Sequence, residues 1–148
     1  VAADARRATL LDVWAALRAL HHVLWTLHWQ AEGDPAYGDH LLYQRLYEAR
    51  VEEIDRMAEL IAGLFGAGTL DPAASWQRAG ALIDGATAIK GKGKPATRAL
   101  ALVEATAEAI DLADKANTGA HALAANNVLA GIADNLDNAA YLLQQRAR

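Results

Sequence analysis

The chain has 148 residues, 53% of them hydrophobic and 22% charged, so it is neither disordered nor larger than one domain. Its net charge of −4 argues against gripping nucleic acid through overall charge, and zero cysteines exclude disulfides, thiolate metal sites and cysteine nucleophiles. No apolar run is long enough to span a bilayer, and Asp4, Arg6 and Arg7 interrupt the first ten residues where a signal peptide would need an apolar segment, so a cytoplasmic protein is expected. The chain starts at Val1 rather than Met, and native residues are expected ahead of it.

Ala, Leu, Glu and Arg fill long stretches, and no aromatic or β-branched run has a period of two, so the expected class is all-α. The spacing predicts a first helix over Ala5–Ala31, ended by the Glu32-Gly33-Asp34-Pro35 break. Leu10, Val13, Trp14, Leu17, Leu20, Leu24 and Leu27 form its apolar stripe, with His21, Trp25 and His28 alongside. A second helix is predicted over Tyr37–Ala62, before the glycine-rich stretch Gly63–Pro72. Leu42, Leu46, Met57, Leu60, Ile61 and Leu64 share one face, with Tyr43, Tyr47 and Ile54 beside it. Glu48, Glu52, Asp55 and Glu59 fall on the opposite side, where they read either as a solvated face with pairs such as Glu52–Arg56 or as a ligand stripe. A short helix is predicted over Ala73–Asp84, with Asp71 as its N-cap and Pro72 opening it. The breaks at Gly91-Lys92-Gly93-Lys94-Pro95 and Asn117-Thr118-Gly119 bound the last two predicted helices, Pro95–Ala116 and Ala120–Gln145. Four long helices with a short one in the middle connection make a four-helix bundle.

Four of the five histidines (His21, His22, His28 and His40) lie around the first break. Imidazoles near a carboxylate stripe are a common recipe for iron, zinc or manganese. His28 and His40 flank a tight turn and can converge, and Asp55 and Glu59 sit one turn apart. His40 and Asp55 are 15 residues apart on one helix, roughly 22 Å at 1.5 Å per residue. One metal with bonds of about 2 Å cannot span that distance. The two half-sites therefore point to a metal centre completed by a second subunit.

The stretch His28-Trp29-Gln30-Ala31-Glu32-Gly33, then His40, then Asp55-Arg56-Met57-Ala58-Glu59, resembles the signature of Dps proteins, the miniferritins of the ferritin-like superfamily. The likeness is specific over Ala19–Gly63, under a third of the chain. It implies a ferritin-like four-helix bundle with a short extra helix between the second and third helices, assembled as a hollow dodecamer. It also implies a ferroxidase site between two-fold-related subunits, with His28 and His40 from one chain and Asp55 and Glu59 from its mate. The implied activity is oxidation of Fe(II) by hydrogen peroxide, in preference to O2, with ferric mineral stored inside the shell. Trp29 would sit beside the site, where it and Trp25 either donate electrons to radical by-products or pack an interface. Glu48 and Glu52 either nucleate mineral or are solvated.

The chain departs from that pattern in three places. Gln44 stands where the family commonly has an Asp one turn after the second histidine, so a weaker second iron position is expected. Ala120–Val128 offers His121, Asn126 and Asn127 but no carboxylate for an iron-entry pore. The termini offer only Arg6, Arg7, Arg146 and Arg148 where DNA-binding members carry a basic tail. The rival reading is a DNA-binding shell with little ferroxidase activity, using Lys90, Lys92, Lys94 and Arg98 on phosphates. A shell protein with a decayed site is a second rival. A mononuclear zinc hydrolase is disfavoured, because no general base accompanies a closed ligand set.

Overall fold

A computed structural model describes the backbone of residues 1–90 and 94–148 and the side chains of residues 1–86 and 94–148. Among the described residues the chain is all-α, with helices α1 (Ala2–Trp29), α2 (Ala36–Phe65), α3 (Pro72–Lys90), α4 (Pro95–Ala116) and α5 (Ala122–Ala147). No helix is long and apolar enough to cross a membrane.

α1 organises the core because its apolar stripe is wide enough to face three neighbours, α2, α3 and α4. Leu10, Val13, Leu17, Leu20 and Leu24 are all fully buried, as the stripe predicts. Each such burial is worth about 1.5–3 kcal/mol relative to exposure. α5 packs on α4 and α2, which closes the ring of contacts α1–α2–α5–α4. α3 lies outside that ring against α1 and α4. Arg18 of α1 fixes it there, with its guanidinium 4.4 Å from the Trp76 ring centre and 4.9 Å from Trp14, and with Nη1 donating to Ser75 Oγ at 2.7 Å.

Most boundaries lie within three residues of the sequence expectation, and two of the differences have an identifiable cause. α2 runs past Gly63 to Phe65, because an exposed helical glycine is tolerated; the stop is Gly66, whose φ of +88° is left-handed. A single 3-10 turn, Ala67–Thr69, follows. The third helix is not short. It spans 19 residues rather than ending at Asp84, since no proline intervenes before Pro95 and Ala79 and Ala86 continue its buried face. Its start matches expectation: Pro72 opens it and the Ala74 amide donates to Asp71 Oδ1 at 3.0 Å.

The α4–α5 turn is held from a distance. Arg6 is buried, with Nε donating to Asn117 Oδ1 and Nη1 to the Ala120 carbonyl, both at 2.9 Å. Asn117 in turn donates to the Ala122 carbonyl at 2.8 Å and to Asn126 Oδ1. Gly119 and His121 both take left-handed φ, and His121 is the sole non-glycine to do so among the described residues. Three of the four terminal arginines are engaged within the chain. Arg6 is a core donor, Arg7 pairs with Asp4 and Arg146 pairs with Asp39.

Candidate metal centre

His28 lies in the last turn of α1 and His40 in the second turn of α2. The connection between them is short because Gly33 takes a φ of +77° and Pro35 sits directly before α2. The two imidazole rings stack, with centres 3.6 Å apart and planes 27° apart. Each is locked by the other's backbone. His28 Nδ1 donates to the His40 carbonyl at 2.9 Å, and His40 Nδ1 donates to the His28 carbonyl at 3.0 Å. A carbonyl oxygen can only accept, so both Nδ1 atoms carry the proton. In the neutral rings this leaves both Nε2 lone pairs for a ligand, the tautomer that a metal site needs.

Aromatic rings back this pair. Tyr47 meets His28 edge-on at 5.4 Å and His21 at 5.8 Å, and it stacks on Trp25 at 5.6 Å. Trp25 lies 4.9 Å from Trp29, which is 63% exposed and so stands at the open side of the cluster. His21 is half-buried between Trp25 and Tyr47. Burial, aided by the neighbouring His22, pushes its pKa down and favours the neutral ring. This places His21 in the aromatic support rather than with the free imidazole nitrogens. His22 instead meets Trp76 edge-on at 5.9 Å, on the α3 side.

The first turn of α2 is anchored by an ion pair with no signal in the local sequence. Arg146, near the end of α5, grips Asp39 through Nε to Oδ1 and through Nη2 to Oδ2 at 3.1 Å. Tyr43 packs one turn on. Burial pushes its phenol up to about 12, with Asp39 adding to the rise and Arg146 and Arg98 opposing it. A phenol raised in the folded state above its ordinary value of 10 contributes stability below pH 10 that is lost as pH rises toward 12. Wild type should therefore lose stability more steeply than Tyr43→Phe between pH 10 and about pH 12. Chemical denaturation across that interval measures this, and equal slopes would refute it.

The acidic residues divide. Asp55 and Glu59 are exposed and form no ion pair among the described residues. Asp55 shares a shallow depression with Glu48, Val51 and Ala58. Glu52 borders that depression and also a groove of about 260 Å³ between α2 and α5, with Glu53, Arg56 and Asn135. No Glu52–Arg56 ion pair forms among the described residues, which removes the one pairing expected of a plain solvated face. Gln44 uses its amide nitrogen on Glu48 Oε1 at 2.9 Å, which leaves its carbonyl oxygen as the donor atom for a cation.

Among the described residues, no group of three or more His, Asp or Glu gathers within one chain in a way that could hold a metal. The structure brings His28 and His40 together and does not bring Asp55 or Glu59 to them. Of the basic patch, Lys92 and the Lys90 side chain lie outside the described residues. Lys94 and Arg98 border adjoining cavities that share Leu27 and Gln30.

Sequence reasoning missed the charged pair buried in α2. Arg50 and Glu53 occupy the stripe Tyr43, Leu46, Arg50, Glu53, Met57, Ile61 that faces the core. Arg50 Nη2 donates to Glu53 Oε1 at 2.9 Å, and Asn135 of α5 donates to the same oxygen at 2.9 Å. The i, i+3 spacing of two opposite charges was the available signal. A scan against protein-family models, and searches of curated proteins and of solved structures, found no match to this chain.

Proposed function

We propose that this chain is a subunit of a ferritin-like, Dps-type shell that oxidises Fe(II) with hydrogen peroxide or O2 at sites between two-fold-related subunits and stores the ferric product. The observation that carries the reading is the His28–His40 pair, whose reciprocal Nδ1 bonds leave both Nε2 atoms available. Helix order and the ring of contacts α1–α2–α5–α4 agree with a ferritin-like four-helix bundle, although α3 is longer than the short extra helix of that pattern.

The half-sites are offset along α2 by about four turns. A two-fold axis crossing near Tyr47 and Glu48, midway between His40 and Asp55, would set the histidines of one subunit against Asp55 and Glu59 of the other. The same face exposes Trp25, Trp29 and Val51, apolar side chains that such a contact would cover. Assembly into a dodecamer follows from the family resemblance.

In this arrangement iron is the substrate. Asp55 and Glu59 supply anionic oxygens, which stabilise the ferric state more than the ferrous one. His28 and His40 supply neutral nitrogen ligands and leave positions open to the oxidant. A pair of ferrous ions provides the two electrons that, with two protons, reduce one peroxide to two waters. Gln44, uncharged, gives the second iron a weaker hold than a carboxylate would. Trp29 and Trp25 are placed to donate an electron to a stray radical. Glu48 and Glu52 offer carboxylates for mineral nucleation.

Anaerobic protein loaded with Fe(II) and then given peroxide should develop near-ultraviolet ferric absorbance rapidly. His28→Ala combined with Asp55→Ala should slow this at least about 10- to 100-fold, the range for disturbing even the outer partners of metal ligands. Oxidation as fast as wild type would sink the site, and elution of wild type as a monomer on size exclusion would sink the intersubunit reading.

A further inference from the structure

Between α1, α3 and α4, away from the histidine pair, lies a cavity of about 220 Å³. Val23 and Leu27 of α1, Ile83 of α3 and Leu102 of α4 give it an apolar side, and His22, Thr26 and Gln30 of α1 also line it. Arg98, in the first turn of α4, lines it as well. Among the described residues no carboxylate borders the cavity. The Arg98 Nε is out of contact with solvent, and among the described residues it has no hydrogen-bond partner and its guanidinium forms no ion pair.

Arg6, Arg50 and Arg146 each have a side-chain partner, in Asn117, Glu53 and Asp39, although Arg6 Nη2 and Arg50 Nη1 are left without one; the half-buried Arg18 rests on Ser75 and two indole faces. The sequence 87–93, the end of α3 and the start of its connection to α4, contains no Asp or Glu that could serve Arg98. A half-buried guanidinium without an anion is an unfavourable state that an anionic ligand would relieve.

We propose that this cavity binds a small organic monocarboxylate with a short aliphatic tail. Its carboxylate pairs with the Arg98 guanidinium, whose planar donors match two carboxylate oxygens. Its tail packs against Val23, Leu27, Ile83 and Leu102. The one guanidinium among the described lining residues matches a single negative charge, and the apolar side formed by Val23, Leu27, Ile83 and Leu102 favours a ligand with an aliphatic tail over inorganic phosphate. The volume lies below the range for drug-sized ligands, which restricts the tail to a short one. The inference does not depend on the iron reading, since it shares no residue with the histidine pair or the acids of α2.

Isothermal titration of the assembled protein with hexanoate tests this, with hexanol and inorganic phosphate as controls. Saturable binding of one hexanoate per chain is expected, with Arg98→Met weakening it by at least about tenfold through loss of the charged bidentate contact. Hexanol and phosphate should each bind at least about tenfold more weakly than hexanoate. Ala86→Leu, which fills the cavity while keeping Arg98, should also abolish binding; it carries the test if Arg98→Met loses its helical circular dichroism. Equal affinity for hexanol, phosphate binding as tight as hexanoate, undiminished binding by a folded Arg98→Met or Ala86→Leu, or no hexanoate binding at all would each overturn the proposal.

Discussion

Mixing two inactive variants is expected to restore iron oxidation. His28→Ala with His40→Ala removes the nitrogen half of every proposed site, and Asp55→Ala with Glu59→Ala removes the oxygen half. Each variant alone should oxidise Fe(II) at least about 10- to 100-fold more slowly than wild type. A two-fold pair formed from one chain of each kind has a different composition at its two sites. One site receives both intact halves, and the other receives neither. Random pairing makes about half of the pairs mixed, so about a quarter of the wild-type site number should return after co-refolding in equal amounts. Stopped-flow absorbance reads the rate, and native mass spectrometry confirms that mixed assemblies formed. Confirmed mixed assemblies with no recovered activity would place the site within a single chain and refute the intersubunit arrangement. Full activity in either variant alone would refute the ligand assignment itself.

The residues that were legible in the sequence are those whose neighbours are close along the chain. The Leu10–Leu27 stripe is regular, so its periodicity alone identifies the buried face of α1. His28 and His40 were placed together because Gly33 and Pro35 leave little chain between two antiparallel helices. Their stacking and reciprocal backbone bonds were not legible, since these depend on the rotation of each helix about its axis. Arg146 with Asp39, and Arg6 with Asn117, join residues more than 100 positions apart, and no local pattern marks either pair. The length of α3 was misjudged because alanine-rich sequence has no stop of its own. Arg50 and Glu53 were hidden for a different reason. Charged letters within an acidic helix read as solvated, and only packing against α5 shows that these two face inward.

That inward pair should be the most sensitive polar element of the fold. Arg50 is 1% exposed and Glu53 5%, and their Nε and Oε2 atoms lie 2.7 Å apart. Arg50 Nη1 has no partner, so Glu53 is the principal compensation for a charge lacking solvent. Glu53→Ala would leave that charge uncompensated, at a cost of about 3–5 kcal/mol. For a chain of this size the melting temperature should fall by roughly 10 °C. Arg50→Met with Glu53→Leu removes both charges at similar volume and should melt near wild type, because the attraction of a buried pair is largely offset by desolvation. A melting temperature unchanged in Glu53→Ala would show that water reaches Arg50 and that the pair is not buried.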